Sequence, residues 1–378
     1  MSATNPGFVW TVISFLLVIG PLIFVHELGH YWVGRWCGVK ADTFSIGFGR
    51  ELFGWSDRRG TRWKVGWLPL GGYVKFAGDM NPASQPSDDW LSLPPEERAR
   101  TFQSKPVWQR FLIVAAGPAV NFLFAILLFM GIFAAIGYPS APALVSGIVA
   151  GSPADRAGIA PGDRIVAVDG KAIESFADLQ HHVRLRPAQA MAVTVERGER
   201  RVLLGLTSGA ATSRDQFGNE AKIGSLGVTT DSIELARLPW TEIPGQAVRQ
   251  SADTVQTMVL TLGQLIRGKR SVEELGGPLK IAQISGQQAS LGWLPLIWLV
   301  ALISINLGFI NLLPIPLLDG GHLFFYMIEA IRGRPLKPQV QEWAFRTGLA
   351  ALLALMVFVT LNDLASFGLW PKLGGLIG

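Results

Sequence analysis

Charge is spread very unevenly along this chain. Residues 2–25, 111–154, 281–318 and 347–362 contain no Asp, Glu, Lys or Arg, and about 20 mostly apolar residues suffice for a helix to cross a bilayer. The pattern predicts four membrane-spanning helices at about 8–30, 111–136, 293–318 and 346–366. Residues 143–230 change character. Short β-branched runs at 164–168, 191–196 and 202–206 alternate with Gly, Pro and Asp turns, as in a small globular domain. From 239 to 270, the spacing of Val248, Val255, Val259 and Leu262 predicts one more helix, packed on that domain or lying at the membrane surface.

Composition agrees. Of 378 residues, 49% are hydrophobic and 16% charged, against roughly 25% charged in soluble domains. Mean hydropathy is +0.34. A disordered chain is excluded, and an ordinary soluble enzyme is disfavoured. The 33 basic residues outnumber the 28 acidic ones, but they lie beside the apolar segments. They therefore read as topology signals, and no nucleic-acid partner is expected. Arg35, Lys40, Lys105 and Arg110 bound the first loop; Arg332, Arg334, Lys337 and Arg346 lie in or close the third. Both loops are expected in the cytoplasm, with both termini and the 139–292 segment outside. The first basic residue is Arg35 and no small-residue cleavage site follows the first apolar run, so that run reads as a permanent span, not a signal peptide. The single cysteine, Cys37, excludes an intrachain disulfide and a multi-cysteine metal cluster.

The first span ends in Val25-His26-Glu27-Leu28-Gly29-His30. On a helix, positions i and i+4 share a face, so His26 and His30 can reach one metal ion while Glu27 lies near enough to act on its water. This is the His-Glu-x-x-His arrangement of zinc peptidases. Ionisable residues at the end of a span are expensive in lipid and need a partner or a task. A catalytic zinc normally takes three protein ligands. Asp319, which closes the third charge-free run behind Pro314 and Pro316, fits as an oxygen ligand, and His322 is its rival. His181 and His182 read as a groove or surface feature of the globular domain.

These motifs, taken together, resemble the bacterial site-2 protease family in its regulator-of-sigma-E-protease branch. The resemblance also takes in Gly117-Pro118-x-x-Asn121, Pro69-Leu70-Gly71-Gly72-Tyr73-Val74-Lys75 and the run from Asn311 to Asp319-Gly320-Gly321. It implies an intramembrane zinc metalloprotease with Zn2+ held by His26, His30 and Asp319. Glu27 would be the catalytic base, and Asn311 would contact the substrate backbone. Ser152-Pro153-Ala154 through Gly162-Asp163 to Gly170 resembles the core of one PDZ domain, where the best-known relatives carry two.

The expected fold is an α-helical polytopic membrane protein with four transmembrane helices, a membrane-associated β-hairpin and an inserted α+β PDZ domain. Its parts are 1–138 (two spans and a re-entrant loop), 139–230 (PDZ), 231–292 (an amphipathic helical region) and 293–378 (two spans). Residues 62–68 and 72–76 read as two short strands around a turn at Pro69-Leu70-Gly71. Their edge would pair with an extended substrate at Gly71, Gly72 and Tyr73. The family resemblance implies single-span membrane protein substrates, such as anti-sigma factors or signal-peptide remnants, already cut on the outer side. It also implies the bacterial inner membrane; the orientation of the spans puts the active site towards the cytoplasm and the PDZ domain in the periplasm, where it would bind extended chain ends or exclude substrates with large outer domains. The alternative is an inactive membrane scaffold presenting that domain.

Overall fold

The computed structural model describes residues 7–79, 92–173, 175–184, 186–214, 220–231, 234–267 and 276–366. The ends expected on the outer side, 1–6 and 367–378, lie outside the described residues. The chain forms two compact units, Met1–Gly131 with Pro244–Gly378, and Ile132–Ile243.

The first unit opens with α1 (Phe8–Trp36), whose outward side chains, such as Phe8, Val9 and Leu17, are exposed and apolar. It is followed by β1 (Ala41–Ser56), β2 (Arg62–Phe76), the short α2 (Pro95–Arg98) and α3 (Val107–Ile136). α1 and α3 approach closely at Gly29, where a Cβ would lie 2.5 Å from the Ala116 carbonyl oxygen. β1 and β2 fold differently from the expected hairpin. Phe44 partners both Val74 and Trp63, and Ile46 partners both Gly72 and Val65. Residues 43–46 therefore lie between the two halves of β2, while Gly54, Trp55 and Ser56 pair with Lys64, Trp63 and Arg62. The segments 62–68 and 72–76 exist, but they do not pair with each other, and 69–71 continues the strand. The physical reason is Phe44. Its fully buried ring stacks on Trp63 at 4.3 Å and meets Tyr31 of α1 edge-on at 5.9 Å. Residues 72–76 are left on an edge of the sheet.

The second unit is built on a four-stranded antiparallel sheet in the order β6 (Lys171–Ala172), β5 (Arg164–Val168), β7 (Ala190–Arg197), β8 (Arg200–Thr207). Alternate residues Met191, Val193 and Val195 of β7 point into its core, where Val145, Ile165, Val168 and Leu179 join them. α4 (Pro153–Arg156) is capped by Ser152 Oγ, which accepts from the Asp155 N–H at 3.3 Å. α5 (Phe176–Arg184) lies on the same core. β3 (Tyr138–Ser140) pairs with β12 (Glu234–Ala236), β4 (Gly147–Ile148) with β11 (Val228–Thr229), and β9 (Gly209–Arg214) with β10 (Glu220–Ser225). The β3–β12 pair carries the unit beyond the 139–230 boundaries read from the sequence.

The first unit resumes with α6 (Ile243–Ile266), followed by α7 (Pro278–Leu291), α8 (Trp293–Leu312), α9 (Asp319–Arg332) and α10 (Pro338–Ser366). The charge-free run at 281–318 is two helices broken at Gly292, whose φ of +123° suits glycine. α7 packs against α1, α8 and α10. Asp363 of α10 caps its start, accepting from the N–H groups of Gly277 at 3.0 Å and Lys280 at 3.1 Å. α8 stops six residues before the span read from the sequence (318 − 312), because Pro314 and Pro316 follow and cannot continue it. Among the described residues, Phe8–Trp36, Val107–Ile136, Trp293–Leu312 and Gln339–Leu364 are long and apolar enough to cross a bilayer. The protein is a multi-pass membrane protein.

Candidate metal centre

His26, Glu27 and His30 sit on the inner face of α1, between 7% and 9% exposed. Three polar atoms converge there. His26 Nε2 lies 3.2 Å and His30 Nε2 3.4 Å from Asp319 Oδ2, and the two nitrogens are 3.3 Å apart. Ligands held tetrahedrally at 2.0–2.1 Å from one ion stand about 3.3–3.4 Å from each other. The triangle has the dimensions of one face of that tetrahedron. Asp319 Oδ2 is buried without a hydrogen-bond partner, which leaves a carboxylate oxygen facing the two imidazoles. Two histidines and a carboxylate suit zinc by both geometry and chemistry.

The rings are oriented from α3. His30 Nδ1 donates to the Ile113 carbonyl at 2.9 Å, which fixes its tautomer and turns the Nε2 lone pair towards the cluster. His26 Nδ1 meets the Asn121 side-chain amide at 3.0 Å. Both imidazoles lie flush against Gly117, where a Cβ would collide with His30 Nε2 and Cε1 and come within 2.9 Å of His26 Cε1. Asp319 reaches the cluster because the irregular stretch 313–318 ends on the first residue of α9. At the other end of α9, Glu329 accepts from Arg110 Nη2 of α3 at 2.7 Å, and the guanidinium lies 5.0 Å from the Tyr326 ring.

A cavity of about 400 Å³ opens over the cluster, lined by His26, Glu27, His30, Asp319 and His322 together with Gly71, Gly72, Tyr73 and Asn311. The structure thus brings all eight expected site residues to one cavity. Glu27 stands against the edge segment of β2, where a Cβ on Gly72 would lie 2.9 Å from its Cγ. His322 stands apart from the three converging atoms, with its ring 5.0 Å from Phe345 and 6.4 Å from Tyr326. His181 and His182 lie on α5 of the second unit, where His182 contacts Arg186. The contact of Asn121 with His26 was not legible as a role. Its traces in the sequence are its place in Gly117-Pro118-x-x-Asn121 and an amide side chain inside an otherwise apolar span.

Residues 14–355 match the family described as Peptidase family M50. A protein of Agrobacterium fabrum named as a zinc metalloprotease is 45% identical over 360 residues, covering 94% of this chain and 96% of that one. Metalloprotease MmpA of Caulobacter vibrioides is 39% identical over 396 residues, covering 98% and 99%. The PDZ domain of an SdrC-like protein from Listeria innocua matches 25% of this chain and 99% of its own at 18% identity, with a TM-score of 0.20.

Proposed function

The chain is a zinc metalloprotease of peptidase family M50, and on that premise we propose that it cuts the membrane-spanning segment of single-span proteins. The observation that carries this reading is the His26–His30–Asp319 triangle beside Glu27, at the floor of a cavity in a membrane-crossing unit. Zinc, when bound, supplies Lewis acidity towards the scissile carbonyl and lowers the pKa of water. His26, His30 and Asp319 would hold it. Glu27 takes the proton from the attacking water and passes it to the leaving amine.

A transmembrane helix hides its peptide bonds in intrahelical hydrogen bonds, so the substrate must be held extended. The free edge at 72–76 supports β-strand addition there, with Gly71, Gly72 and Tyr73 beside the scissile bond and Asn311 against the substrate backbone. The basic residues of the first and third loops support a cytoplasmic opening of the site and an outer location for the second unit, in the inner membrane of a bacterium. A groove of about 370 Å³ in the second unit, lined by Phe176, Leu179, Val183, Gly224, Leu226 and Val228, supports binding of an extended chain end, as in PDZ domains. The natural substrates in this reading are anti-sigma factors or signal-peptide remnants already trimmed on the outer side.

The test uses purified protein in detergent with a tagged single-span substrate. Wild type is expected to cut it, Glu27→Gln to keep zinc without cutting, and Asp319→Ala to lose zinc. Wild type that binds no zinc would overturn the reading.

A further inference from the structure

Both histidines need a partner on Nδ1, and the two partners differ in kind. His30 uses a main-chain carbonyl, which can only accept. His26 uses the Asn121 side chain, which can donate through Nδ2 or accept through Oδ1. Asn121 is fully buried; its Nδ2 lies 3.0 Å from His26 Nδ1 and its Oδ1 has no hydrogen-bond partner. Its main chain is anchored, because Ser304 Oγ of α8 donates to the Asn121 carbonyl at 2.8 Å.

We propose that Asn121 is a positioning residue for the metal centre, whose amide holds the His26 ring and the proton on its Nδ1. The inference rests on the zinc reading above. Ligation through Nε2 requires the proton on Nδ1, and a proton there needs an acceptor. The Asn121 amide, 3.0 Å from His26 Nδ1, can supply one through Oδ1, the buried oxygen without another partner, because its two orientations are nearly isosteric. An amide or a carboxylate can accept that proton, and an alkyl group cannot.

The experiment measures zinc affinity of the full chain in detergent by chelator competition, and the melting midpoint of the zinc-free protein. Loss of a partner that orients a metal-ligating histidine typically costs about 10–100-fold in affinity. Asn121→Leu is expected to weaken zinc by that factor without lowering the zinc-free midpoint. Asn121→Asp is expected to bind zinc at least as tightly as wild type. Equal affinity in wild type and Asn121→Leu would overturn the inference, as would an Asn121→Asp protein as weak as the leucine variant. If the leucine variant does not fold, Asn121→Ala takes its place in the same comparison. If wild type itself takes up no zinc, the metal-centre reading falls and this inference falls with it, an outcome distinct from a defect confined to the variants.

Discussion

Gly72 lies so close to Glu27 that a methyl group on its Cα would stand 2.9 Å from Glu27 Cγ, 2.6 Å from Ile23 Cγ2 and 2.8 Å from the Ser45 carbonyl oxygen. Strand β2 and helix α1 are thus in backbone-to-side-chain contact. Gly72→Ala is expected to push the strand edge away from Glu27 and lower cleavage about 100-fold, the usual cost of a misplacement near 1 Å. Zinc content should stay at the wild-type level. Cleavage within twofold of wild type would show that the contact does not position the reaction.

Glu27→Gln removes the proton acceptor while keeping the side chain's shape. Cleavage is expected to fall about 10²–10⁴-fold, the range of general base catalysis, with zinc retained. Asp319→Asn keeps an oxygen in place but removes the charge, so zinc should leave at lower chelator concentration. A Glu27→Gln protein with wild-type cleavage would reassign the base.

Arg110 and Glu329 are both largely buried, so removing one leaves a desolvated charge without its partner. Arg110→Met alone should destabilise the protein by about 3–5 kcal/mol. Arg110→Met combined with Glu329→Met should recover most of that loss. Because α9 begins at Asp319 and ends beside this pair, the single variant is also expected to loosen zinc. A melting midpoint unchanged by Arg110→Met would refute the assignment.

In the second unit, Asp163 accepts from Arg197 through both oxygens at 2.7 Å and from the Ala160 N–H at 2.8 Å. The bonds from Arg197 come first among the causes that hold its carboxyl below the usual carboxylate range. A group whose folded pKa is depressed contributes stability above its unfolded pKa, near 3.9, and loses it as pH falls through the folded value. Hydrogen exchange at β5 and β7, corrected for the intrinsic rate, should therefore accelerate below about pH 4. Asp163→Asn should exchange faster at neutral pH and show less of this acid dependence. Identical acid profiles for both proteins would exclude the pair as the cause.

The four spans and the His26–His30 pair were legible because each depends on local pattern: hydropathy over one segment, or spacing over one helical turn. Asp319 was legible as a carboxylate ending an apolar run behind two prolines. The sheet was harder. Phe44 sits between two segments of β2, and nothing in the sequence of 62–76 indicates that a strand from 41–56 enters between them. α7 falls within the helical region read at 231–292, but its packing against α1 and α10 was not legible, because that depends on residues far apart in the chain. The cap that Asp363 places on α7 joins residues more than 80 positions apart, a relation only folding can reveal.

The pairing of Tyr138 with Ala236 and of Ser140 with Glu234 means that the second unit enters and leaves through one doorway. Its two ends are neighbouring antiparallel strands, about 4.7–4.9 Å apart, so a tight two-residue turn can join them. The unit is in this sense a cassette: it can be excised or exchanged for another with adjacent ends, without stretching the chain that remains.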